Sequence, residues 1–232
     1  MNRSAPMLPL AENLWLLPFP LKLFGADLRR NVTLIRLRSG KFVIHSTAPF
    51  SAEDVADICS HGTPGWILDG ILRHDTFAAD GRRSFPDIPY LAPEGFARLT
   101  GIPTQLIIPP PPEWDGELLA LEIQGAPQAR DTALLHVPSR TLILTELLFN
   151  FSLREPLWTR LLLNLGVGRH FSPGVSRPVR AGVEDKAAFE QSLEEILAWD
   201  FDRIVVGHGD PIPTGGKGAL RKALSQAGFL AG

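Results

Sequence analysis

Short runs of β character come in two batches along this chain, and each batch gives way to sequence of helical period. In the first batch, residues 13–17, 32–38 and 41–45 are apolar or alternating, with Ser39-Gly40 placed to turn the last two into a hairpin. Ser51 followed by Asp54 forms a capping box, which opens a helix expected to bury Val55, Ile58 and Cys59 and to stop at Gly62. Residues 66–69 follow as a brief buried strand, 73–84 as a loop or short helix, then a strand at 88–91, a helix at 96–99 and a strand at 104–108. The run 109–112 is all proline and cannot join a ladder, so it is expected as an exposed connection. The second batch comprises 117–123, 132–137 and 141–145, the last two joined through Pro138-Ser139-Arg140. Beyond Asn150 the pattern turns helical at 153–165 and again after Asp185, where Phe189, Leu193, Ile196 and Leu197 share one face. A buried strand at 203–206 and a helix at 218–226, ending near Gly228, complete the pattern. Two β-rich halves, each with its own helices, imply sheets packed face to face with helices outside: an α/β (α+β) chain in four αββα layers.

At 232 residues, an architecture of this kind stays undivided, so one domain spanning 1–232 is expected. The 44% hydrophobic and 21% charged content is ordinary for a globular protein, and the net charge of -2 exerts no strong pull on nucleic acid or anionic membrane. A small-molecule substrate or ligand, or a protein partner, fits better, and the oligomeric state is left open. Cys59 is the only cysteine, which excludes an internal disulfide and a cysteine-rich zinc cage. No apolar run approaches the ~20 residues a membrane span requires, and residues 1–19 are interrupted by Pro6, Pro9, Glu12 and Pro18, unlike a secretory leader. A cytoplasmic protein is the expectation.

Chemistry is concentrated at a few strand ends. His208 lies between two glycines directly after the strand at 203–206, where close backbone approach would present it at a sheet edge. The competing assignment is a solvated turn histidine. His74 and Asp75 follow the strand ending near Asp69, and imidazole with carboxylate suits zinc, iron or manganese. An Asp capping a helix beside a surface His is the plainer alternative. Glu146 ends one apolar run and precedes another, so it must be paired, hydrogen-bonded, protonated or metal-bound. An ion pair with Arg73, Arg140 or Arg154 would satisfy it without any function. His45 closes a strand, His136 reads as a satisfied core histidine, and His61 and His170 carry no assignment.

Taken together these stretches resemble the metallo-β-lactamase superfamily, and within it the DUF4336 branch of β-lactamase-like proteins. The resemblance runs through nearly the whole chain. Its most specific parts are Pro138-Ser139-Arg140-Thr141-Leu142-Ile143-Leu144-Thr145-Glu146, with Phe149-Asn150-Phe151, and the stretch from Trp199 through Gly207-His208-Gly209-Asp210-Pro211. Superfamily hydrolases hold one or two metals through a His-x-His-x-Asp-His loop, a middle His, a bridging Asp and a last His. By that likeness His208 matches the last His and Glu146 the bridging Asp. In the preferred register Gly70 and Leu72 replace the first two histidines and His74-Asp75 stand at Asp-His, which removes the first metal position. A register shifted by one residue sets Asp69 at the first His and His74 at the final one, and Gln128 stands near the middle His as a weak oxygen donor at best.

The resemblance therefore implies a reduced site in which His74, Asp75, Glu146 and His208 hold one divalent ion, Zn or else Fe or Mn, and in which Glu146 or Asp75 is available as a general base. A metal-dependent hydrolase with a mononuclear site is the first expectation. The second is a catalytically inactive protein of the same fold that binds a small molecule or a partner in that cleft, because fold alone confers no activity.

Overall fold

The computed structural model describes residues 6–151, 156–166, 173–175 and 177–230. In chain order the strands are β1 (Leu8–Ala11), β2 (Leu14–Phe19), β3 (Lys22–Leu23), β4 (Ala26–Asp27), β5 (Arg30–Arg36) and β6 (Lys41–His45). Helix α1 (Ala52–His61) leads to β7 (Thr63–Leu68), α2 (Ala78–Ser84), β8 (Tyr90–Ala92), α3 (Phe96–Thr100) and β9 (Gln105–Leu106). The second half holds β10 (Leu118–Glu122), β11 (Thr132–His136), β12 (Thr141–Leu144), α4 (Leu157–Gly166), α5 (Arg177–Ala181), α6 (Lys186–Ala198), β13 (Arg203–Val206) and α7 (Gly216–Ala227).

Two sheets form, ordered β1-β2-β5-β6-β7-β8-β9 and β10-β11-β12-β13, with β3-β4 as a separate small ribbon. Each begins antiparallel and turns parallel where a helix intervenes between strands, as at β6-β7 and β12-β13. The side chains explain the layering. Along β12, Ile143 points between the sheets while Leu142 and Leu144 point outward, and along β13 Val205 opposes Ile204 and Val206 in the same way. The inter-sheet core joins Leu16, Ile35, Val43 and Leu68 to Leu134, Ile143 and Val205. A second core seals the smaller sheet under α6 and α7 through Phe189, Leu193, Ile196, Leu220 and Leu224. A third seals the larger sheet under α1, α2 and α3 through Ile58, Ala78 and Phe96. Three apolar seams between four layers are the αββα sandwich, and strands covered on both faces read as unbroken apolar runs for that reason.

The capping box at the start of α1 is present in full, the Ser51 hydroxyl accepting from the Asp54 amide and the Asp54 carboxylate from the Ser51 amide. Cys59 departs from expectation: it is exposed, and Ile58 alone of the named stripe is fully buried. A ten-residue helix laid on a sheet buries a narrow face, and position 59 turns away from it. The expected helix at 153–165 begins at Leu157, residues 152–155 lying outside the described residues. Among the described residues no helix is long and apolar enough to cross a membrane.

Candidate metal centre

Strands β12 and β13 run parallel with Leu144 opposite Val206, so the residues two positions beyond each, Glu146 and His208, leave the sheet side by side. Tight backbone packing sets this end. A Cβ at Gly207 would collide with the Thr145 carbonyl and one at Gly209, where φ is +97°, with the Asn150 carbonyl. Both glycines flanking His208 are thus required by close approach. Asn31, on the other sheet, donates to the carbonyls of Val206 and Gly209, each at 2.8 Å, and its own amide donates to Gly207. Phe149 stacks on the His208 ring at 5.4 Å between centroids. Across the cleft, His74 is buried at the start of a short 3-10 turn, Asp75–Phe77.

Three side chains meet here: His74 Nε2 stands 3.3 Å from His208 Nε2 and 3.3 Å from Glu146 Oε1, and His208 Nε2 stands 3.0 Å from the same oxygen. Glu146 is satisfied by two imidazoles rather than by an arginine; Arg140 pairs with Asp200 instead, and Arg154 lies outside the described residues. Burial pushes the Glu146 carboxyl up, but hydrogen bonds from His208 and His74 outweigh it and hold the group below the usual carboxylate range. Asp131 shapes the turn carrying this residue: its Oδ2 accepts from the amides of Glu146 and Leu147, both at 3.0 Å. Burial raises the Asp131 carboxyl to about 7, and its Oδ1 has no hydrogen-bond partner in the protein.

Asp75 does not join the cluster. It is exposed, because consecutive residues entering a turn point different ways and its neighbour His74 takes the inward direction. Asp69 is buried elsewhere, accepting from the Thr47 and Tyr90 hydroxyls. Gly70 has no room for an imidazole as the backbone stands, since a Cβ there would sit 2.6 Å from Thr145 Oγ1 and 3.2 Å from His45 Nε2. Gln128 is exposed beside Arg73 and Arg130 in an outer groove. His136 is buried and hydrogen-bonds the Ser139 hydroxyl at 2.7 Å, as a core histidine should. His170 lies outside the described residues.

The sequence reading missed Arg30. This residue is 1% exposed, donates from Nη1 to Ser46 Oγ at 2.9 Å and to His74 Nδ1, and leaves its Nε without a partner. The available signal was its parity with Val32 and Leu34 on β5, which sets a charge in line with core positions. Its guanidinium contributes to lowering the His74 pKa well below the ordinary value, second to burial itself.

A cavity of about 710 Å³ opens onto this cluster. Its polar end carries Arg30, Arg73, His74, Glu146 and His208. The remaining wall is largely apolar and comes from the β3-β4 ribbon, α4 and Phe149.

This sandwich is the metallo-β-lactamase fold. A metallo-β-lactamase from Erythrobacter litoralis, solved with β-mercaptoethanol in its active site, superposes with a TM-score of 0.68 at 15% identity, over 97% of this chain and 96% of that one. The DIM-1 metallo-β-lactamase matches with a TM-score of 0.63 at 14% identity, over 96% of each chain. FIM-1 from Pseudomonas aeruginosa, in a mono-zinc form, matches with a TM-score of 0.64 at 11% identity, over 98% of this chain and 97% of that one. No protein-family profile matches the sequence, and no curated protein does.

Proposed function

We propose that this chain is a hydrolase in which His74, Glu146 and His208 hold a single divalent metal ion, zinc by preference and otherwise iron or manganese. The observation that carries it is the triangle of donor atoms with edges of 3.0 to 3.3 Å. Ligands at about 2.0–2.2 Å from a tetrahedral ion are separated by about 3.3–3.6 Å. Two imidazoles and one carboxylate are also the donor set of catalytic zinc sites that keep a fourth position open, here toward the cavity. A bound ion supplies an acidified water and a Lewis acid for an ester, amide, lactone or phosphoester bond.

The protein's own residues prepare this unequally. His208 Nδ1 donates to the Arg29 carbonyl at 2.5 Å, which orients the ring and sets Nε2, 3.0 Å from Glu146 Oε1, as the atom facing the cluster. His74 is set the other way. A guanidinium only donates, so Nδ1 accepts from Arg30 and Nε2 carries the proton shared with Glu146. Coordination by His74 therefore requires Nδ1 to leave Arg30 for Ser46 Oγ, which stands 3.4 Å away and can accept its proton.

That arginine contact favours a second reading, a catalytically silent protein of this fold that binds a small molecule in the same cavity. The finer placement in the DUF4336 branch rests chiefly on the stretches 138–146, with 149–151, and 199–211, and no family profile supports it. Hydrolysis of a panel of p-nitrophenyl esters and phosphoesters by zinc-loaded protein separates the readings. Turnover that disappears in His208→Ala supports the hydrolase; no turnover with any member of the panel supports the silent protein, and turnover that persists without zinc or in His208→Ala contradicts the metal site.

A further inference from the structure

The cavity is unequal in charge as well as in polarity. Lys22, Arg30 and Arg73 line it against the single carboxylate of Glu146, which already accepts from two histidines. Among the described residues, neither Lys22 nor Arg73 has a hydrogen bond or ion pair from its side chain. Arg30 is almost wholly buried and keeps its Nε unpartnered, although Ser46 and His74 take Nη1. A buried guanidinium with spare donors, beside a second one that is free, is suited to an oxyanion or carboxylate. The opposite wall is of another kind. Leu21, Phe24, Leu28, Phe149, Leu163 and Leu165 line it, and Phe24 and Leu165 remain 80% and 63% exposed at its edge. Large apolar side chains held in water beside a cleft mark a surface that gains from being covered.

We propose that the cavity takes an amphiphilic anion, its carboxylate or phosphate group held by Arg30 and Arg73 and its apolar chain lying along Leu21, Phe24, Leu28 and Phe149. This rests on the reading of the cavity as the active site and names its substrate class: a hydrolysable chain with an anionic group near the bond to be cut. A cationic ligand would meet three positive groups against one carboxylate already engaged by two histidines, and a neutral polar ligand would meet a largely apolar wall.

Calorimetric titration of octyl phosphate, octanoate, 1-octanol and inorganic phosphate into protein stripped with a chelator tests it without any metal. The expected result is that one or both amphiphilic anions bind at least about tenfold tighter than 1-octanol and than inorganic phosphate. Octyl phosphate ahead of octanoate identifies a phosphate head, and the reverse a carboxylate. Arg30→Met and Arg73→Met each reduce that affinity by about tenfold or more and leave 1-octanol unchanged. Should Arg30→Met fail to fold, the exposed Arg73 still gives the answer. Octanol binding as tightly as the anions, phosphate alone binding as tightly as octyl phosphate, or affinity unmoved in Arg73→Met overturns the proposal. Ester turnover by zinc-loaded protein is measured separately, so a failed hydrolase reading and a failed ligand class are told apart.

Discussion

Glu146 and His208 stand at equal offsets beyond the paired strand positions Leu144 and Val206, and their Oε1 and Nε2 atoms come within 3.0 Å. Parallel pairing of β12 with β13 does this, because a shared register brings matching residues out at one sheet edge. The third member, His74, arrives from the larger sheet across the cleft. The centre is therefore a property of how the two sheets face each other.

Its tightest backbone constraint is at Gly209. With φ at +97° and the Asn150 carbonyl where a Cβ would sit, Gly209→Ala must distort the turn that presents His208. A loss of about 2–4 kcal/mol in unfolding free energy is expected, together with weaker metal binding. Urea unfolding of the variant beside the parent protein measures it, and a change within about 0.5 kcal/mol would show that the turn is less constrained than described.

Asp131 is a positioning residue for Glu146. One carboxylate oxygen accepts both amides of the turn, so Asp131→Asn, which keeps an acceptor, should preserve zinc affinity, while Asp131→Ala should weaken it about 10–100-fold. Competition against a chromogenic chelator reads this difference. Affinity equal to the parent's in both variants would assign Asp131 to stability alone, and an equal loss in both would contradict the role of a neutral acceptor.

Much of this was legible in the chain. The alternation of β and helical batches gave the sandwich, and the glycines around His208 and the apolar setting of Glu146 marked two strand ends that do converge. Local sequence failed where direction decides. Asp75 offers the same chemistry as Glu146, yet its backbone turns it outward, and Cys59 has an apolar character that its helix face does not use. Arg30 was invisible for a different reason. Its importance lies in reaching Ser46 and His74, contacts set by strand packing rather than by any motif.

Acid should loosen the fold through buried imidazoles. Burial lowers the His136 pKa from 6.5 to about 4, with Glu117 opposing, and His45 is lowered to about 4 by burial and by the Arg30 charge. Between these values the two imidazoles bind more protons in the unfolded chain than in the folded one, so their contribution to stability is complete above about 6.5 and declines as the pH falls toward 4, while Asp131, raised to about 7 by burial, acts in the opposite sense. Replacing His136 with Gln should shrink the loss between pH 7 and pH 5 by about 1–2 kcal/mol, His45 retaining its own share. Denaturant midpoints at the two pH values give the comparison, and an unchanged slope would contradict it.

The proposed chemistry depends on three side chains, His74, Glu146 and His208, sharing one cation. Elemental analysis of the protein purified without chelator, then dialysed against zinc and freed of excess, addresses that directly. About one equivalent of metal in the parent protein, falling below about a tenth in His208→Ala, is the predicted result. Less than about a tenth of an equivalent in the parent, or a full equivalent retained after His208 is replaced, would contradict it.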